Sequence, residues 1–173
     1  KSLARLDYRV LLVDVDIEAP SLDQLFNVSA PDISCTLMGL CGWSETFAPL
    51  SVSGSSLARG AIDLVPCRPG EETYDMDFAA FGVRSSLDIS MVSRGIRRLR
   101  EYVESSGTSR YDVVLFDHRT GIAPSVLPVV RAWRGPVVVA VRPDGLSMQA
   151  VGAIASLFAQ NPENPGAYIC FSL

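Results

Sequence analysis

The chain has 173 residues, 48% hydrophobic and 20% charged, enough for one folded domain with a sizeable core and too apolar for a disordered one. Its net charge of −4 gives no general attraction to nucleic acid or to an anionic membrane, which leaves only local basic patches for such contacts. No apolar run approaches the roughly 18 residues that span a bilayer, and Lys1 to Arg9 lack the apolar stretch of a signal peptide, so the expectation is a cytoplasmic protein. Lys1 is the only lysine, so the 15 basic residues are otherwise arginines. Cys35, Cys41, Cys67 and Cys170 form no CxxC pair, and a single histidine cannot build a multi-histidine zinc site. Reduced, mostly buried thiols are expected.

In chain order, Lys1 to Leu6 reads as the end of a helix, and Tyr8 to Val13 is an apolar, β-branched run that ends at Asp14. A short helix is expected near Ile33 to Leu40, then a Ser/Gly-rich loop at Ser51 to Ser56 and a short strand at Ala61 to Pro66. Ser90 can cap a helix running from Met91 to about Ser105. Val92, Ile96, Leu99 and Val103 then share one face, and Gly107 ends it. Tyr111 to Phe116 is a second apolar run and again ends in an aspartate, Asp117. Pro136 to Val141 is a third, followed by a helix from about Leu146 to Phe158 that stops before Asn161 and Pro162, and Ala167 to Leu173 is the last. Continuous apolar runs without polar alternation suit strands covered on both faces. Alternating with helices of this length, they predict an α/β fold: a doubly wound, mostly parallel sheet in one domain spanning 1–173.

Ligands of an open parallel sheet bind beyond the carboxyl ends of its strands, so Asp14 and Asp117 are candidate site residues. A buried strand holds its terminal carboxylate at a fixed point, where it can bind Mg²⁺ directly or through water, and Mg²⁺ neutralises phosphate charge. The same aspartates can instead cap the turn or helix that follows. Asp14, Asp16 and Asp117 converging on one strand edge would repel one another, so at least one should hold its proton more tightly than a free carboxyl.

The segment VLLVDVDIEAPSLDQLF resembles the strand and switch I region of ParA/MinD-like ATPases, especially the bacterial branch with a DLDLEAPG type sequence. YDVVLFDHRTG is similar to that family's Walker B strand and switch II, commonly of DSRTG form, and GPVVVAVRPDGLSMQAVGAIASLF to its next strand and helix. The three segments lie in the family's order and cover about half the chain. The resemblance implies a P-loop NTPase type of sheet, incomplete at both ends, binding ATP and Mg²⁺ and hydrolysing the nucleotide. It further implies that Asp16 orients the attacking water, that Asp14 lies beside the Mg²⁺ and its waters, and that Asp117 holds the ion through water. Thr120 and Gly121 would place a backbone amide near the γ-phosphate, so that ATP and ADP favour different loop positions. A homodimer formed on the nucleotide face and an unidentified protein partner are implied as well.

This chain departs from the family at its start, where no KGGVGK type loop occurs to hold the phosphates with amides and a lysine. Only seven residues separate Ser2 from Val10, too few for the helix that usually follows that loop, so upstream residues are expected in the full protein. A non-hydrolysing scaffold of the same fold is the alternative function. His118 also departs from the commoner serine. Other folds fit less well: a receiver domain needs a lysine near its last strand, an oxidoreductase of the Rossmann type needs GxGxxG, and an α/β-hydrolase needs GxSxG.

Overall fold

The structure, a computed structural model, describes residues 2–17, 19–29, 33, 35–43, 47–52, 60–67, 89–105, 110–119, 126–133, 135–141, 145–159 and 167–171. Its contacts divide the chain into two compact units, 1–119 and 120–173, and each is taken by itself.

The first unit opens with one helical turn, α1 (Ser2–Arg5), whose Ala4 is fully buried. The turn stops at Asp7, which has a left-handed φ of 68°. Tyr8 N–H donates to the Leu3 carbonyl at 3.2 Å and Asp7 N–H to that of Ala4 at 3.2 Å, the paired bonds that close a helix C-terminus. The same motif ends α2 (Leu22–Leu25): Asn27, with φ 56°, donates to Gln24, and Val28 donates to Asp23.

Between these helices runs β1 (Arg9–Asp14). Later come a five-residue helical turn at Gly39–Trp43, the two-residue β2 (Leu50–Ser51), β3 (Ala61–Val65), α3 (Ile89–Glu104) and β4 (Val113–Asp117). The sheet order is β2-β3-β1-β4, with β1 parallel to both β3 and β4 and only β2 antiparallel. This is a mixed, mostly parallel sheet connected through helices, in agreement with the expected class. Val10, Leu11 and Val13 of β1 are all buried, consistent with cover on both faces.

α3 buries Val92, Ile96, Leu99 and Val103, the stripe expected from the 3.6-residue period. It begins two residues before the expected start, so Ser90 lies inside its first turn and does not precede it. α3 packs on the Gly39–Trp43 turn. A Cβ on Gly95 would come within 2.7 Å of Cys41 Sγ, so the close approach of the two segments requires glycine there. The Arg98 guanidinium donates to the Leu40 carbonyl across the same contact at 3.2 Å. The helical turn expected near Ile33 to Leu40 overlaps the observed one, which runs on to Trp43, and Ser51, expected within a loop, pairs with β3 beside Leu50.

The second unit contains α4 (Val126–Trp133), β5 (Val137–Val141), α5 (Gly145–Ala159) and β6 (Ala167–Phe171), with β5 and β6 parallel. α4 had no counterpart in the sequence reading, and it contains Pro128. This proline is the third residue of the helix, within the first turn, where a missing N–H leaves no bond unmade. Cys35, Cys41 and Cys67 are buried free thiols as expected, whereas Cys170 is exposed. Among the described residues no helix is long and apolar enough to cross a membrane.

Candidate functional site

The strand order places the site. From β1 the chain reaches β3 on one side and, after α3, returns to β4 on the other. The order thus reverses at β1, and the crevice beyond the carboxyl ends of β1 and β4 is where a ligand of such a sheet binds. Asp14 and Asp117 are register partners at those two ends. The ladder continues one step past them, since Val15 N–H donates to the Asp117 carbonyl at 2.9 Å.

The two carboxylates sit in different surroundings. Asp14 is 1% exposed, and three backbone amides donate to it: Asp16 to Oδ1 at 3.0 Å, and Ser21 and Leu22 to Oδ2 at 3.2 and 3.3 Å. Ser21 and Leu22 open α2, so Asp14 serves as a cap supplied from the neighbouring strand, and the Ser21 side chain makes no capping bond of its own. Burial pushes the Asp14 carboxyl up to about 6. The three amides pull the other way, and the Asp117 charge adds to the rise. Asp117 is exposed, and its carboxyl also lies above the ordinary value, first through partial burial and then through the Asp16 charge. A tightened proton was expected from repulsion among the acids; it is found, with desolvation as its larger cause.

Asp16 is half-buried, and its Oδ1 accepts the Ala19 N–H at 3.0 Å. Asp14 and Asp16 together fold the segment after β1 into a loop pinned by side-chain to backbone bonds. Asp14 and Asp117 are register partners at one sheet edge, and the Asp16 charge acts on both Asp117 and His118. Thr120 and Gly121 lie outside the described residues.

Two further polar groups were not singled out as site residues in the sequence. Asp23 is buried in α2 with Oδ1 lacking a hydrogen-bond partner among the described residues, and His118 Nδ1 is in the same condition. Nothing in the local pattern marks Asp23 as inward-facing. His118 is noticeable as the chain's single histidine, next to Asp117, and as a departure from the serine commoner in the resembling family.

No family model and no curated protein matches the chain at the level of sequence. Solved structures do match it. A plasmid partition protein from Borrelia burgdorferi superposes with a TM-score of 0.68 at 11% identity, covering 98% of this chain and 68% of its own. A chain of the MinC:MinD cell division protein complex from Aquifex aeolicus gives 0.64 at 20% identity, covering 98% and 58%. The septum site-determining protein MinD from Pyrococcus horikoshii, complexed with Mg-ADP, gives 0.59 at 15% identity, covering 98% and 59%. The fold is that of the ParA/MinD-type P-loop ATPases. The chain spans about three fifths of the length of the two MinD structures. With this fold, Asp14 and Asp117 stand at the carboxyl edge of a ParA/MinD-type sheet, and the pinned loop after β1 lies beside them.

Proposed function

We propose that this chain is the core of a cytoplasmic ATP-binding and ATP-hydrolysing molecular switch of the ParA/MinD type, one that dimerises on nucleotide and regulates a protein partner. The observation that carries the reading is the register of Asp14 with Asp117 at the point where the strand order reverses. It rests equally on the order of the three resembling segments in the sequence.

The residues fit Mg²⁺. Among the described residues no three His, Cys, Asp or Glu side chains form a closed metal cage. Mg²⁺ does not need one, since it usually takes one or two carboxylates and completes its shell with water and phosphate oxygens. Asp117 offers an exposed carboxylate of that kind. Asp14 has given most of its acceptor capacity to three amides, so its part beside the ion is to fix the loop and supply charge at short range. When bound, Mg²⁺ neutralises charge that develops on the phosphates. Asp16, held through Ala19 N–H, would orient the attacking water, and the resemblance assigns the γ-phosphate contact to Thr120 and Gly121, which lie outside the described residues.

The test uses the full-length protein. Asp16→Ala is expected to keep ATP binding and to lower turnover about 100-fold or more, as loss of a water-positioning group does. Asp117→Asn is expected to weaken Mg²⁺-dependent nucleotide binding. Tight binding with no hydrolysis in the wild type would favour the scaffold alternative, and no nucleotide binding at all would remove the proposal.

A further inference from the structure

α3 presents a charged stripe that the candidate site does not use. Arg94, Arg97, Glu101 and Glu104 are all exposed and fall at i, i+3, i+7 and i+10, within about 80° of arc around the helix axis. The buried stripe of Val92, Ile96, Leu99 and Val103 lies on the opposite side. This spacing is that of the seam along which two helices pair, carried here by charges in place of apolar side chains. The stripe is also divided by sign, since its first half is basic and its second half acidic. Arg94, Arg97 and Glu101 form no ion pair among the described residues, and Glu104, bonded to Arg100 at 2.7 Å, keeps a side chain that is 58% exposed. The platform beneath is fixed: Gly95 packs closely on Cys41, and the Arg98 guanidinium donates to the Leu40 carbonyl.

A phosphate backbone lying along the stripe would meet the arginines favourably and the glutamates, one turn further on, unfavourably. A second α3 laid antiparallel avoids that conflict. With a two-fold axis at the level of Leu99, Arg94 faces Glu104 of the second copy and Arg97 faces its Glu101, because each pair lies symmetrically about Leu99 in the sequence. Every arginine of the stripe then opposes a glutamate, and the symmetry doubles each contact. A parallel arrangement would instead set like charge against like. We propose that the exposed face of α3 is a self-recognition surface, through which two copies of this chain associate with their α3 helices antiparallel and with reciprocal Arg94–Glu104 and Arg97–Glu101 pairs between them. The contact is separate from the dimer on the nucleotide face: it needs no nucleotide and uses none of Asp14, Asp16 and Asp117. Exposed ion pairs each contribute little and are screened by salt, so the association is weak, with dissociation in the high-micromolar range at low salt.

The experiment uses the full-length protein without nucleotide, so that the nucleotide-face dimer does not contribute. Self-association of the wild type, Arg97→Glu and Glu101→Arg is measured by sedimentation equilibrium at about 20 mM and about 300 mM salt. The wild type is expected to self-associate at the lower salt and to lose most of this at the higher. Each single variant turns two attractive contacts into two repulsive ones and should weaken association about tenfold or more. An equimolar mixture of the two variants should recover it to within about threefold, because each copy then supplies the charge that the other lacks. That recovery also shows that both variants are folded. A wild type that does not associate at low salt, association unchanged by either substitution, or a mixture as weak as the single variants would each overturn the proposal. So would tighter binding of a short DNA duplex by Glu101→Arg with self-association unaffected, which assigns the face to a phosphate polymer. Loss of the nucleotide reading, by contrast, would leave this surface standing.

Discussion

Asp14 combines two demands that work against each other, because burial disfavours its charge while three amides reward it. Its carboxyl titrates near 6 in the fold against 3.8 in the free residue. The folded state therefore binds this proton more tightly than the unfolded chain. Asp14's contribution to stability is greatest below about pH 4, falls as the pH rises toward 6, and is level above that. The difference amounts to something on the order of 3 kcal/mol. Asp14→Asn should abolish this slope. Denaturant unfolding at pH 4 and pH 7, without Mg²⁺ or nucleotide, should show the variant losing more ground against wild type at pH 4 than at pH 7. A constant difference would mean that Asp14 does not titrate in this interval. Asn27 poses a simpler case, since its φ of 56° suits glycine and, next best, asparagine. Asn27→Ala should cost about 1 kcal/mol in chemical denaturation, while Asn27→Gly should be neutral or slightly stabilising.

At the level of elements, α3 depends on a glycine that lowers its own helix propensity. Glycine inside a helix costs about 1 kcal/mol relative to alanine, yet Gly95 lets the helix approach Cys41 closely. Gly95→Ala should therefore destabilise, by roughly 1–3 kcal/mol, in spite of the better propensity, and a stabilised variant would show that the contact can relax. The strands β1, β3, β4, β5 and β6 and the helices α3 and α5 were legible in the sequence because continuous apolar runs between turn residues, or the buried stripe of α3, write a pattern into consecutive residues. Their ends were less so: α3 begins two residues early, as helix boundaries often do. α4 was not read, although Pro128 in its first turn is compatible with a helix. β2 is too short for any period to appear. The site divides in the same way. Asp14 and Asp117 stand out as the polar ends of apolar runs, but the amides of Ser21 and Leu22 that hold Asp14 carry no side-chain signature.

At the scale of the two units, each has a described strand residue that leaves apolar surface exposed. Among the described residues β4 pairs only with β1 and β5 only with β6. Leu115 is 42% exposed and Val138 66%. Parallel strands are ordinarily covered, and open apolar edges template association. The 173-residue polypeptide should therefore associate in a concentration-dependent way in the micromolar range, and Leu115→Lys combined with Val138→Lys should reduce this in sedimentation velocity. A monomer at all concentrations would show that these surfaces are otherwise protected. The sheet order also has a consequence for synthesis. β1 is central, and its Arg9 meets its partner Asp112 only 103 residues later. At about 5–20 residues per second, a ribosome needs roughly 5–20 seconds to deliver β4 after β1. During that interval the loop that wraps Asp14 can already close through Ser21 and Leu22, whereas the Asp14–Asp117 edge cannot yet exist. The nascent chain can thus complete its local turn well before its candidate site, with a strand of buried character waiting in between.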